Sequence, residues 1–177
     1  MKCITIAVFA ALLLSGCVSQ ELPRKTSADF IPEITDFTQP WALTESSSVS
    51  LQADGFVDGT KIRLARKEGI GRIIARITVY TFDSAGNSTK FHDLSMNSQM
   101  SNNYTRIELG MGGCYADQRT GPDLEITGVL CRSSYVFYDV EVVGVKYGET
   151  ETDAKEISAV IGSKIASAQS SASSGLF

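Results

Sequence analysis

The chain has 177 residues, of which 43% are hydrophobic and 20% are charged, and its net charge is −4. This length suits one domain with a single hydrophobic core, and the hydrophobic content excludes disorder throughout the chain. The negative net charge excludes the overall basic character of a nucleic-acid-binding protein. The chain has only one histidine and four cysteines, so few of its residues are favoured metal ligands.

Residues 1–16 have the features of an export signal. Lys2 supplies a positive charge, and residues 4–14 are an apolar run that is too short to span a bilayer. Leu14-Ser15-Gly16 then precede Cys17. This order resembles the lipobox of bacterial lipoproteins, which implies cleavage before Cys17 and acylation of that cysteine. By the same resemblance, Val18 implies an outer-membrane location facing the periplasm. An ordinary cleaved signal peptide is the alternative.

Two cysteines remain once Cys3 is removed with the signal peptide and Cys17 carries lipid. These are Cys114 and Cys131, and cysteines in the oxidising periplasm usually form disulfides. A reactive or metal-binding pair is the alternative, although the spacing is not CxxC and few other ligands are nearby. We therefore predict a Cys114–Cys131 disulfide, no metal site and no cofactor.

Residues 18–40 contain Pro23, Pro32 and Pro40 among polar and charged residues. Their apolar residues are scattered without a helical or strand period. This composition predicts a flexible tether over residues 17–40, which would carry the acylated Cys17 at its start. A single β-rich domain is expected over residues 41–170.

Residues 41–148 mostly alternate between apolar and polar side chains, the pattern of half-buried β-strands. The run at 72–82 is rich in β-branched and aromatic residues, which predicts a central strand buried on both faces. Asp58-Gly59 and Gly121-Pro122-Asp123 indicate turns. The pattern predicts a mainly β domain, an antiparallel β-sandwich or small barrel. The alternating runs lie at 49–53, 61–64, 72–82, 104–109, 124–130 and 135–147, with a weaker run at 90–94.

The C-terminal part changes to a helical period from about residue 152 to 167. Thr150 and Asp153 have the spacing of a capping box at its start. We predict one C-terminal amphipathic helix that packs on the sheet, with docking on a partner as the alternative, and a frayed tail at 171–177. The apolar face consists of Ala154, Ile157, Ile161, Ile165 and Ala168.

No catalytic motif is evident in the sequence. His92 lies in the weaker strand-like run next to Asp93, and neighbouring side chains on a strand point to opposite faces, so Asp93 would not orient it. The chain has neither the Gly-x-Ser-x-Gly turn of a serine hydrolase nor a glycine-rich phosphate loop. We predict no catalytic residues and no enzymatic activity.

Six basic residues fall close together, opposed only by Glu68, and we call them the basic segment. Acidic residues collect nearer the C-terminus. The two groups either neutralise each other across the sheet, or the basic segment binds an anionic partner such as an acidic protein, lipid headgroups or cell-wall carboxylates. The basic segment is Lys61, Arg63, Arg66, Lys67, Arg72 and Arg76, and the acidic residues are Asp139, Glu141, Glu149, Glu151, Asp153 and Glu156.

These features favour a non-enzymatic outer-membrane lipoprotein. We expect it to act as an accessory or structural subunit of a cell-envelope assembly of the secretion, pilus or flagellar type, through contacts with other envelope proteins. A periplasmic immunity protein or hydrolase inhibitor with one protein target is the first alternative. A cell-wall-active enzyme is the second.

Overall fold

The computed structural model of the protein describes residues 24–69, 71–99, 105–107, 113–145 and 149–174. The predicted signal peptide at residues 1–16 and the predicted acylation site Cys17 lie outside these residues. The strands are β1 (Ala42–Ser48), β2 (Phe56–Glu68), β3 (Gly71–Phe82), β4 (Thr105–Ile107), β5 (Cys114–Thr120), β6 (Leu124–Ser133) and β7 (Val136–Val145). The helices are α1 (Ala85–Gln99) and α2 (Thr150–Ser174).

Within the described residues, the strands form one antiparallel sheet in the order β1-β2-β3-β7-β6-β5-β4. The predicted mainly β fold with antiparallel strands and a C-terminal helix is therefore confirmed. β3 and β7 lie at the centre of the sheet, and the run at 72–82 forms β3 as predicted. The predicted burial on both faces holds only for the second half of β3, because Arg72 and Arg76 are exposed. Helices pack on both faces, which we name the α1 face and the α2 face.

The α2 face carries the larger hydrophobic core. On β3, Ile73, Ile77 and Val79 are fully buried there, together with Val140 of the neighbouring β7. The predicted apolar face of α2 packs against them, and each of its isoleucines is at most 1% exposed. Burial of each such side chain contributes about 1.5–3 kcal/mol, so α2 is held by the sheet and not by helix propensity.

Helix α1 corrects the prediction of a weak strand at 90–94. Its inward positions Ser88, Phe91 and His92 have helical spacing, but two of them are polar, so the helical period is hidden in the sequence. Ser84 is the N-cap of the helix, because its Oγ accepts a hydrogen bond from the backbone N–H of Asn87 at 3.2 Å. The helix covers a second, smaller hydrophobic cluster, which contains Phe82 and Phe137 and lies at one end of the α1 face.

The first part of the domain also differs from the predicted pattern. The alternating residues at 49–53 lie in a loop after β1 and do not form a strand. Asp58 and Gly59, predicted to form a turn, lie within β2. The Asp58 carboxylate instead accepts hydrogen bonds from Ser27 and Thr81. The Asp58-Gly59 pair, which is typical of surface turns, therefore lies within a strand, and Asp58 binds the N-terminal segment through Ser27.

The segment expected to be a tether is part of the folded domain from Arg24 onward. It contains two short 3-10 helices, Ser27–Phe30 and Ile34–Asp36. Phe30 is 1% exposed in the main core, and Asp36 lies 3.0 Å from the Lys164 ammonium on α2. The predicted flexible tether over residues 17–40 is corrected accordingly, because residues 24–40 are packed on the domain.

Helix α2 begins and ends differently from the prediction. Thr150 is its first residue, and the Thr150 hydroxyl lies 3.1 Å from the Thr127 hydroxyl on β6 instead of capping the helix. The helix extends to Ser174, so residues 171–174 of the predicted frayed tail are helical. No helix in the described part of the chain has the length and apolar character needed to cross a membrane.

Cys114 and Cys131 face each other across the β5–β6 pair and form the predicted disulfide. Both are at most 1% exposed and belong to the main core. The bond therefore ties the β5 side of the sheet to the buried centre.

Replacing both cysteines with alanine should lower the free energy of unfolding by about 3 kcal/mol, because a short loop is released in the unfolded chain. Urea titrations of both proteins with and without a reductant would measure this. The reductant should destabilise the wild type and leave the double variant unchanged. Equal stability of the two proteins without reductant would contradict the prediction.

Candidate interaction surface

The basic segment lies on the adjacent strands β2 and β3, and strand alternation divides it between the two faces of the sheet. Arg66 shares the α2 face with Ile62 and Leu64. The other five residues point to the α1 face, where the register places Arg63 opposite Arg76 and Lys67 opposite Arg72. The structure therefore keeps these five together but separates Arg66 from them.

Arg66 is neutralised within the domain. Its guanidinium is 5% exposed and donates to Asp153 in the first turn of α2 at 2.8 Å and to Glu149, which directly precedes α2, at 3.3 Å. Burial alone would lower the pKa of Arg66, but the hydrogen bond to Asp153 and the negative charge of that residue raise it above its ordinary value. Arg66 therefore acts as a buried link between β2 and α2.

A second set of charges forms a chain of ion pairs across the α1 face. Arg76 on β3 pairs with Glu141 on β7, and Arg119 on β5 lies 3.6 Å from the same carboxylate and 2.9 Å from Asp117. Gly128 stands between Glu141 and Asp117 in the register and has no side chain to separate them. Two of the six basic residues, Arg66 and Arg76, are thus occupied by acids of the predicted C-terminal group.

Asp139 lies beside this chain, two residues before Glu141 on β7, and it is half-buried. Burial raises the pKa of the Asp139 carboxyl to about 7; Glu141 adds to this rise, whereas Arg119 and Lys61 oppose it. The Lys61 charge thus acts on Asp139 from the neighbouring part of the same face. Asp139 is protonated in a large fraction of molecules near neutral pH.

The raised pKa of Asp139 predicts a pH-dependent stability. The folded protein holds this proton up to about pH 7, whereas the unfolded chain releases it near pH 4, so the free energy of unfolding should fall between these values. Asp139→Asn should remove this fall and stabilise the protein by about 1–2 kcal/mol at pH 8, allowing for solvent screening.

Urea titrations at pH 4 to 8 would measure this difference. Asp54→Asn, at an exposed carboxylate, is the matched control and should leave the pH profile unchanged. A profile for Asp139→Asn that parallels that of the wild type would contradict the assigned pKa.

Of the other four basic residues, Arg63 lies opposite Glu45 of β1 in the register and Lys61 acts on Asp139, whereas Lys67 and Arg72 have no facing acid among the described residues. They are exposed and face each other directly, an unfavourable arrangement for like charges. Neither forms an ion pair within the described residues. Glu68 follows Lys67 but points to the opposite face, where its charge raises the pKa of Arg66. We call Lys67 and Arg72 the free basic pair.

The free basic pair borders a groove of about 810 Å³ at the tip of the β2–β3 hairpin. The last residue of β2 paired with β1 is Ala65, and β2 continues for three residues beyond it to Glu68. The sequence did not indicate that small apolar residues line this groove, because they become neighbours only through strand pairing. The groove is lined by Pro40, Ala42, Ala65, Arg66, Lys67, Gly69, Gly71 and Arg72.

His92 lies away from this groove, inside α1. Its ring is 5% exposed, and its centroid lies 5.5 Å from that of Tyr115 and 6.1 Å from that of Phe137. Asp93, expected to point away from it, lies 3.1 Å from its Nδ1 because both residues are on a helix and not on a strand. No group of three potential ligands in the described part of the chain is placed to hold a metal ion.

Comparisons with known proteins find a similar fold but no matching family. No family model and no curated protein matches the chain. A solved structure similar to it is the extracellular domain of PknH from Mycobacterium tuberculosis. The two are 9% identical, with a TM-score of 0.51, and the similarity covers 78% of this chain and 94% of the PknH domain. This likeness concerns the fold alone.

Proposed function

We propose that the protein is a non-enzymatic lipoprotein, anchored in the outer membrane through Cys17 and facing the periplasm. In this proposal it is an accessory or structural subunit of a cell-envelope assembly and acts through contacts with other envelope proteins. The lipobox-like order of Leu14, Ser15, Gly16 and Cys17 supports the anchor. The similar PknH domain is an extracellular one, which agrees with a place outside the cytoplasm.

The main support for the proposed binding role is the free basic pair. Two exposed cations that repel each other and form no ion pair with a described acid of the domain gain from an acidic partner. Arg66 and Arg76 do not contribute, because acids of this domain already pair with them. The proposed contact surface is therefore the free basic pair at the hairpin tip and not the whole basic segment.

Chemical crosslinking in intact envelopes, followed by affinity purification of the full chain, would test this function. Lys67→Glu/Arg72→Glu should abolish the crosslinked partner and leave the melting temperature unchanged, because neither side chain packs in the core. Lys25→Glu/Lys90→Glu makes the same change in net charge at other exposed positions and should retain the partner.

Two results would overturn the proposal. Mass spectrometry of the mature protein that finds no acyl group on Cys17 would refute the anchor. Retention of every crosslinked partner by the Lys67→Glu/Arg72→Glu variant would refute the binding surface. Capture of one soluble protein in a one-to-one complex would favour an inhibitor or immunity protein over an assembly subunit.

A further inference from the structure

The first described residue and the free basic pair lie at opposite ends of the sheet. Arg24, the first described residue, donates a hydrogen bond to the Asp83 carbonyl at 2.6 Å, and its guanidinium lies 4.1 Å above the Tyr135 ring. Asp83 directly follows the last residue of β3, whereas Arg72 is near its first residue. The strand between them spans about 35 Å.

The segment between an acylated Cys17 and Arg24 is too short to let the domain invert relative to the membrane. Six residues lie between Cys17 and Arg24, and the seven steps from one Cα to the other reach at most about 25 Å when the chain is fully extended. This reach is less than the length of β3. An acylated Cys17 therefore keeps the Asp83 end near the bilayer, and the domain cannot stand on its hairpin tip.

From this geometry we infer that the groove at the hairpin tip faces away from the anchoring membrane and binds an extended acidic segment of another protein. The orientation rests on the proposed function, because it requires the lipid on Cys17. The binding chemistry does not, since it depends only on the described residues. In this orientation the free basic pair lies away from the headgroups of the protein's own membrane.

Two properties of the groove select an extended acidic protein segment. The backbone of β2 from Arg66 to Glu68 lies beyond the end of its pairing with β1, so a peptide can pair there as an added strand. The groove wall is apolar at Pro40, Ala42 and Ala65, and the free basic pair stands at its border. On an added strand, acidic side chains at every second position would lie on the α1 face beside the free basic pair.

Peptide binding would test the chemistry. The probe is a fluorescent octapeptide of alternating glutamate and valine, titrated by anisotropy against the mature lipidated chain in nanodiscs. Lys67→Glu/Arg72→Glu should weaken binding at least tenfold, and Lys25→Glu/Lys90→Glu should leave it unchanged. The glutamine–valine peptide should bind at least tenfold more weakly than the glutamate–valine peptide.

Vesicles separate the protein partner from a lipid one. The unacylated Cys17→Ser chain should not sediment with vesicles of one part phosphatidylglycerol to three parts phosphatidylethanolamine. Sedimentation that is lost in the Lys67→Glu/Arg72→Glu variant would show that lipid headgroups occupy the site, and this would overturn the inference. Absence of glutamate–valine binding by the wild-type chain would also overturn it.

Energy transfer to a membrane dye would test the orientation. A donor on Ala85→Cys marks the end near Asp83, and a donor on Leu124→Cys marks the hairpin end, since Leu124 is exposed and begins β6. Transfer should be clearly stronger from position 85. Equal transfer, or stronger transfer from position 124, in a chain whose acylation is verified would refute the orientation while leaving the anchor intact.

Discussion

Arg66→Ala is expected to lower the free energy of unfolding by about 3–5 kcal/mol, because it leaves the Asp153 carboxylate buried without a cation. The side chains of Arg66 and Asp153 are 5% and 2% exposed, so water does not replace the lost partner. The substitution also removes the guanidinium that lies 5.5 Å from the centre of the Trp41 ring. Chemical denaturation monitored by circular dichroism would measure the loss.

Two variants show whether the loss comes from the unpaired charge. Arg66→Met/Asp153→Leu removes both charges and should be much more stable than Arg66→Ala, near the wild type or above it. Arg76→Ala breaks the half-exposed pair with Glu141 and should cost at most about 1 kcal/mol. Losses of similar size for Arg66→Ala and Arg76→Ala would contradict the assignment of Arg66 as a buried link.

Phe30→Ala is expected to destabilise the domain by about 3–5 kcal/mol, the usual cost of an emptied aromatic site in a core. Phe30 is 1% exposed and its ring meets the Tyr135 ring edge-on, with centroids 6.3 Å apart. A residue in a flexible tether would show no such cost. Thermal and urea unfolding of the full chain would measure it.

Ile34→Ala is the matched control for Phe30→Ala. Ile34 lies four residues later in the same segment but is 51% exposed, so its truncation should change stability by at most about 0.5 kcal/mol. Unchanged stability of Phe30→Ala would restore the view that residues 24–40 only connect the domain to its anchor.

Local sequence patterns predicted the parts of the fold that bury a regular apolar face. The β-branched run at 72–82 became the central strand β3, and the three-and-four spacing of Ile157, Ile161 and Ile165 became the buried face of α2. The patterns failed for α1, where Ser88 and His92 occupy inward positions. They also failed for the N-terminal segment, where Phe30 is one apolar residue among polar neighbours.

For the predicted site as well, the sequence showed which residues are present but not which residues they contact. The basic segment was evident in the sequence, but composition alone did not show which of its charges were neutralised. Lys67 follows Arg66 directly, yet one is exposed and the other pairs with Asp153 on α2. Alternation along a strand places neighbours on opposite faces, so a one-residue difference separates a buried link from a surface cation.

The sequence by itself determined the charge, the mainly β character, the central strand, the C-terminal helix and the cysteines that pair. Each of these depends on residue types or on spacings within one segment. The tertiary structure decided which acids meet Arg66 and Arg76, which faces α1 and α2 cover, and that residues 24–40 belong to the domain. These outcomes depend on strand register and on contacts between residues far apart in the chain, which no local period contains.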